Sequence, residues 1–240
     1  MARALTRRLL PSGHVVVVQM SEIADGDLAV ADPDGLLEER RCSLTGAKGG
    51  DSGWTWLKQT HGVSVVTVVE PGGAAGSEAD GAVTGQPGCV LSVQVADCAP
   101  VALIADKGGL AVVHAGWRGV AAGVLEKASE ALRGLTGGPQ RALVGPCIHP
   151  CCYEFGGDDL AGVARDLGRE VEGVTRSGSP ALDLPAAVVA SLERAGVSDF
   201  EIDGACTSCD DRYWSYRATG SGRRQAMVAV LTEGTSPDVA

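Results

Sequence analysis

This 240-residue chain contains only four histidines, and two of them stand where chemistry could be mounted. His61 closes the run Gln59-Thr60-His61-Gly62, and His114 opens the run His114-Ala115-Gly116-Trp117-Arg118-Gly119. Cys98 holds a similar place in Ala96-Asp97-Cys98-Ala99-Pro100. Each of the three follows an apolar, strand-like run, so three potential ligands sit at the ends of three predicted strands. Strand ends are rigid mounts with open space beyond them. If these ends lie together at one edge of a sheet, two neutral imidazoles and one thiolate make the donor set of a catalytic zinc site, with the fourth position left for water. One thiolate on a divalent ion leaves a net positive centre, able to acidify that water or polarise a leaving group. The plainer alternative is that both histidines cap or pack and that Cys98 is a small buried apolar residue.

The neighbours of these three residues extend the chemistry. Asp97, next to Cys98, can orient a ligand histidine or move a proton to a substrate, or it can simply cap the turn before Pro100. Arg118 is carried close to His114 by a segment with two glycines, and a helix starting there would add free backbone N–H groups. An anion such as phosphate could bind there; a structural arginine clamping a carbonyl is the alternative. Lys58, Arg40 and Arg217 are the further candidate cations for an anionic substrate group, while Arg223 and Arg224 read as solvated surface. Tyr153 either lines a pocket or is a partly buried aromatic, and Trp117 is a core filler or a stacking face. Cys206 and Cys209 form a C-x-x-C, but no second such pair follows it to complete a closed zinc knuckle. The adjacent Cys151 and Cys152 do not point together easily and are not read as a disulfide.

The positioning elements follow from the hydrophobic pattern. A strand-like element is predicted over 54–61 and strands over 14–20, 63–69, 89–95, 101–105, 110–113, 142–144 and 225–231; the strand over 63–69 stops at Glu70-Pro71-Gly72-Gly73, that over 101–105 at Asp106, and that over 142–144 at Gly145-Pro146. A short helix is predicted within 33–41, a glycine-rich loop at 46–53, and longer helices from near Val120 to Leu135, over 158–171 and over 185–195. Asp183 can cap the last of these, with Pro185 in its first turn. Strands and helices are mixed without a regular βαβ repeat, and neither a G-x-G-x-x-G after the first strand nor a P-loop is present. The expected class is therefore α/β: one domain over 1–240, a mixed sheet or sandwich with helices outside it, and a mobile tail at 232–240.

Bulk composition narrows the function classes. Thirty acidic residues against twenty basic ones give a net charge of −10, which opposes a phosphate backbone and argues against nucleic-acid binding. The first residues lack an apolar signal core, and eight cysteines in a chain of this length fit a reducing compartment, so a cytoplasmic location is expected. No run of eighteen apolar residues suggests a membrane span. A monomer or weak homo-oligomer is expected.

The ordered set KQTHG, ADCAP, HAGWRG and GPCIHPCCYEF, with CTSCDDRYWSYR near the end, resembles the family first called multicopper polyphenol oxidoreductases or laccases. The same family is also described as purine nucleoside phosphorylases with adenosine deaminase activity, and some of its members as peptidoglycan-editing factors of bacterial cell walls. The resemblance spans roughly Trp54 to Leu231 and implies a mixed α/β sandwich resembling the deamidating-toxin-like cysteine hydrolase fold. It implies zinc, with copper possible, held by His61, Cys98 and His114. It also implies phosphorolysis of adenosine, inosine, guanosine and methylthioadenosine and deamination of adenosine, with purine nucleosides and phosphate as partners. Copper-dependent phenol oxidation, a Cys-His amide hydrolase and a non-enzymatic binding protein are the alternatives. The N-terminal segment, with SEIADGDLAV and Glu39-Arg40-Arg41, and the late Ser215-Tyr216-Arg217 depart from the family pattern, which bears on substrate and phosphate binding. A four-copper oxidase needs on the order of ten histidines; four in the whole chain do not suffice for that site in one subunit.

Overall fold

Valine- and alanine-rich runs broken by glycine turns divide the chain into short strands, and their order in space follows from which faces each strand can bury. The structure, a computed structural model, describes residues 2–46 and 53–234. In chain order the strands are β1 (Arg3–Leu9), β2 (Val15–Met20), β3 (Trp54–Thr55), β4 (Leu57–Lys58), β5 (Val65–Thr67), β6 (Ser77–Glu78), β7 (Gly81–Thr84) and β8 (Val90–Val95). They continue with β9 (Ala99–Ala105), β10 (Gly109–Ala115), β11 (Gln140–Val144), β12 (Glu172–Val174), β13 (Pro180–Leu182), β14 (Asp199–Ile202) and β15 (Gln225–Thr232). The helices are α1 (Leu37–Thr45), α2 (Trp117–Ala122), α3 (Val124–Thr136), α4 (Gly157–Leu167), α5 (Leu184–Arg194) and α6 (Tyr216–Thr219).

Two larger sheets carry the architecture. One has the order β1-β2-β15-β8-β3 and the other β14-β11-β9-β10-β7-β5. The alternation of side chains along each strand sorts the core into layers. Leu91, Val93 and Val95 of β8 pack with Ala102 and Ile104 of β9 and Leu110 and Val112 of β10, filling the space between the sheets. The opposite faces of β9 and β10, including Val101, Leu103, Ala111 and Val113, pack on Val124, Ala128 and Leu132 of α3 and on Val188 and Leu192 of α5. Strands β8, β9 and β10 are buried throughout, so they read as continuous apolar runs. The result is a mixed α/β fold with helices on the outer face of the six-stranded sheet.

Most predicted elements are present, with instructive differences. The helix expected from Val120 is two helices, because Gly123 takes the left-handed conformation (φ 92°) and ends α2 before α3 begins. The helix expected over 158–171 ends at Leu167, at Gly168. Asp183 does cap α5, accepting from the Ala186 N–H at 2.9 Å, with Pro185 in the first turn. β1 and β14 were not expected: both lie at sheet edges and carry many polar residues, which hides the period-2 signal. The expected mobile tail needs correction at its start, since Thr232 is the last residue of β15 and its hydroxyl donates to the Val15 carbonyl at 3.2 Å. Residues 235–240, and most of the glycine-rich loop expected at 46–53, lie outside the described residues.

Candidate metal centre and substrate cleft

The three expected ligands meet, but at the passage between two sheets instead of the edge of one. β8 belongs to the five-stranded sheet and β9 to the six-stranded one, so the chain changes sheets through Ala96, Asp97 and Cys98. Cys98 sits at the end of that crossing. His114 lies within β10, not after it, and takes the same strand face as Leu110 and Val112, which points its ring toward the inter-sheet layer. His61 reaches the same point from a turn after β4, with φ of 60°. The His61, Cys98 and His114 donor atoms all lie within 4.8 Å of one another. Cys98 Sγ is 3.8 Å from His61 Nε2, and the two imidazoles meet edge to face at 4.7 Å. His114 is buried, Cys98 half-buried and His61 exposed, so the trio opens to solvent on the His61 side.

Asp80 organises this group, and sequence reasoning missed it. It is fully buried just before β7, and its carboxylate receives five hydrogen bonds. Oδ2 accepts from the Thr60 N–H (3.2 Å), the Thr60 hydroxyl (3.0 Å) and the Gly62 N–H (2.7 Å). Oδ1 accepts from the His61 N–H (2.9 Å) and from His114 Nδ1 (2.8 Å). One carboxylate thus holds the strained His61 turn and the His114 ring together. With Nδ1 donating to Asp80, Nε2 of His114 is the atom left to face the other two donors. Burial would push the Asp80 carboxyl up, but the His114 and Gly62 hydrogen bonds outweigh it and hold the group at about 2.

The same arrangement sets the charges of the trio. Burial opposes ionisation of the Cys98 thiol, yet hydrogen bonds and attraction from His114 and His61 bring it down to about 6. Burial likewise opposes charge on His114, but Asp80 and Cys98 raise it to about 9. Without a metal, Asp80, His114 and Cys98 therefore form a carboxylate–imidazolium–thiolate chain near neutral pH. The donor set fits a tetrahedral divalent ion: a thiolate ready to bind, two imidazoles, a carboxylate fixing one of them, and an open side. No step at Gly116 blocks it, because only glycine fits there; a Cβ would come within 2.8 Å of His61 Cδ2 and 3.2 Å of Cys98 Sγ.

The trio lies in a cleft of about 720 Å³ whose lining includes Lys58, Asp97, Trp117, Arg118, Tyr153, Arg217 and Arg224. Four cations and a single carboxylate line this cleft in a chain with net charge −10, a local reversal of sign that suits an anionic group. Arg118 stacks over the Trp117 ring at 4.3 Å, and Arg217 over the Tyr153 ring at 4.9 Å. Trp117 and Tyr153 both make edge contacts with Phe155 (5.1 and 5.4 Å), so the aromatic wall is packed from behind. Arg224, read from sequence as solvated surface, lines the cleft instead. Arg40 does not: it pairs with Asp34, donates to the Asp27 carbonyl at 3.0 Å and lines a separate cavity with Glu39 and Leu44. Asp97 has φ of 97° and both of its carboxylate oxygens are engaged, by the Thr207 hydroxyl (2.7 Å) and the Arg217 N–H (2.7 Å). It therefore fastens the start of α6, and with it Arg217, to the crossing that carries Cys98.

Known proteins resemble this chain in sequence and in fold. The family model for multi-copper polyphenol oxidoreductase laccase matches residues 18–232. A purine nucleoside phosphorylase of Xylella fastidiosa is 40% identical over 211 residues, covering 80% of this chain and 78% of its own length. One from Streptomyces coelicolor is 35% identical over 210 residues, covering 85% of this chain and 86% of its own. The crystal structure of YlmD from Geobacillus stearothermophilus superposes with a TM-score of 0.79 at 25% identity, over 93% of this chain and 94% of that one. A Neisseria meningitidis protein shares the fold, with a TM-score of 0.78 at 24% identity over 96% and 99% of the two chains. The chain therefore belongs to the multi-copper polyphenol oxidoreductase laccase family.

Proposed function

We propose that this protein is a metal-dependent purine nucleoside phosphorylase acting on adenosine, inosine, guanosine and methylthioadenosine, and that the same cleft deaminates adenosine. The observation that carries the reading is the meeting of His61, Cys98 and His114 in a cleft whose other charges are almost all positive. Zinc suits two imidazoles and a thiolate, and copper can use the same donors. When bound, the ion supplies a positive centre that polarises a purine or acidifies water.

The residues of the chain then divide the remaining work. Lys58, Arg118 and Arg217 hold phosphate, whose oxygen attacks the anomeric carbon as the bond to the base breaks and its electron pair leaves with the purine. Arg118 and Arg217 are pre-set for this by the rings beneath them, which limits the freedom they lose on binding. Trp117 and Tyr153 offer flat faces to the base. Asp80 keeps a proton on His114 Nδ1, and Asp97 holds Arg217 in place. In this reading the substrates are small molecules and the setting is the cytoplasm. No described helix is long and apolar enough to cross a membrane.

A second reading has its own observation. Cys98 Sγ lies 3.8 Å from His61 Nε2 and its thiol is held at about 6, as suits a nucleophile in a cysteine-hydrolase-like fold acting on an amide. One experiment separates the two. Zinc-loaded protein is given adenosine with and without phosphate, and ribose-1-phosphate, adenine and inosine are followed. Phosphate-dependent adenine release, stopped by a chelator and restored by zinc, is the expected result. No nucleoside turnover, with amide hydrolysis that survives the chelator and is lost to iodoacetamide, refutes it.

A further inference from the structure

A second group of donors lies apart from the trio. Cys151 and Cys152 sit on a single 3-10 turn, Pro150–Cys152, in the loop after β11, and Cys206 and Cys209 sit in the loop after β14. Their four sulfurs all lie within 4.8 Å of one another. Cys151 Sγ is 3.7 Å from Cys152 Sγ, 3.8 Å from Cys206 Sγ and 3.7 Å from Cys209 Sγ, and Cys152 is 3.2 Å from Cys209. Metal–sulfur bonds of about 2.3 Å in a tetrahedron imply sulfur–sulfur edges of about 3.8 Å. A disulfide would need about 2.05 Å. A cubane iron–sulfur cluster, each of whose thiolates binds a different iron, would hold the sulfurs further apart.

We propose that Cys151, Cys152, Cys206 and Cys209 form a closed structural site for a tetrahedral, thiophilic divalent cation, with zinc the fitting ion. Four protein ligands leave no open position, the mark of a structural centre in contrast to the three-ligand trio. Four thiols alone would gain little from meeting, since thiols are weak donors and acceptors. The surroundings suit thiolates. The His149 N–H donates to Cys206 Sγ at 3.4 Å. Arg176, whose N–H donates to the Cys151 carbonyl at 3.1 Å, is electrostatically coupled to Cys209, Cys151 and Cys152 and offsets the negative charge of four thiolates on a divalent ion.

The site also has a structural purpose visible in its connections. It ties two loops far apart in sequence, and both lead to the cleft. Tyr153, the next residue after Cys152, lines the cleft. Thr207, the next residue after Cys206, donates from its N–H to the Cys147 carbonyl at 3.0 Å and from its hydroxyl to Asp97. An ion here would fix the aromatic wall against the turn that carries Cys98. The C-x-x-C alone conceals this, because its partner pair is two adjacent cysteines that precede it.

The full chain, expressed and purified with reductant and added zinc, provides the test by metal analysis and cobalt substitution. Wild-type protein is expected to bind two ions. His61→Ala/His114→Ala is expected to keep one, with the cobalt absorption of an all-thiolate tetrahedral site, and Cys206→Ser/Cys209→Ser to lose one. Should the cysteine variant fail to fold, iodoacetamide mapping of wild-type protein serves: these four cysteines are protected until the ion is stripped. The inference is overturned if the His61→Ala/His114→Ala protein binds no cobalt. Alkylation indifferent to stripping, or an intact mass lacking two hydrogens with no ion bound, overturns it equally.

Discussion

Replacing Asp80 by asparagine tests the core of the site with little change of shape. The carboxylate takes five hydrogen bonds, three on Oδ2 and two on Oδ1. An amide can offer only one of its two positions as an acceptor. With its NH2 at the Oδ1 position it faces the His61 N–H and His114 Nδ1; at the Oδ2 position it faces the N–H groups of Thr60 and Gly62. Two donors lose their acceptor on the buried carboxylate in either case, at up to about 1–3 kcal/mol each, so roughly 2–6 kcal/mol of stability is the most that should be lost. His114 can escape only by moving its proton to Nε2, the atom that faces Cys98 and His61, so metal affinity should fall about 10- to 100-fold as well. Denaturant unfolding of stripped protein reads the first effect, and competition with a chromophoric chelator the second. The pH dependence adds a signature. The Asp80 carboxyl is held at about 2 against an ordinary value of 3.8, so it stabilises the fold at neutral pH and this contribution is lost as pH falls from about 4 toward 2. Asp80→Asn protein should lack that loss. A variant within about 0.5 kcal/mol of wild type, with metal affinity unchanged within twofold, would falsify the assignment of Asp80 as the organiser.

Three further outcomes follow from the same geometry. In chelator-stripped protein the Cys98 thiol, lowered to about 6, should be alkylated by iodoacetamide at a rate that climbs through pH 6 and is level by pH 8; a rate still climbing near pH 9, with Cys98 identified by peptide mass, refutes the ion-pair chain. Gly116→Ala places a methyl 2.8 Å from His61 Cδ2 at a backbone conformation alanine accepts, so metal retention should drop at least tenfold while far-ultraviolet circular dichroism stays unchanged, and full metal occupancy would count against the trio's geometry. Asp97→Asn should raise the KM for phosphate by loosening Arg217 and leave the shape of the pH–rate profile intact; loss of one limb of that profile would instead make Asp97 a proton carrier.

How much of this was legible in the sequence divides along a physical line. The buried strands β8, β9, β10 and β15 announce themselves because a run of apolar side chains is a local property. The trio was legible for a related reason: rare, chemically distinct residues stand close to the boundaries of strands, His61 after β4, Cys98 between β8 and β9, and His114 near the end of β10. β1 and β14 were not, since an edge strand has one hydrogen-bonded neighbour and can carry charges such as Arg7, Arg8 and Glu201. Asp80 was hidden because its partners are backbone groups, which leave no mark on composition. An acidic residue opening a wholly buried strand is the signal that could have found it. The same limit explains the cations. Arg40 and Arg224 look alike as members of short basic runs, and only the fold shows that the first is spent on Asp34 while the second reaches the cleft.

The backbone at the site is held against its own conformational preference at two positions. Asp32, His61, Ala74 and Asp97 are the described non-glycine residues with positive φ, and two of those four belong to the site. Such conformations cost on the order of 1 kcal/mol or more for a residue with a Cβ, and they persist only where surrounding bonds over-determine them. At His61 those bonds come from Asp80; at Asp97 they come from Thr207 and Arg217. Glycine at either position would relieve the strain and remove the chemistry. Local preference therefore points away from the conformation that brings His61 to Cys98, and residues remote in sequence supply what holds it. The turn after β4 and the crossing from β8 to β9 can be recognised as breaks in a pattern, but the first is held by the buried Asp80 carboxylate and the second by the Thr207 hydroxyl and the Ile148 and Arg217 N–H groups, whose positions no run of residues near them specifies.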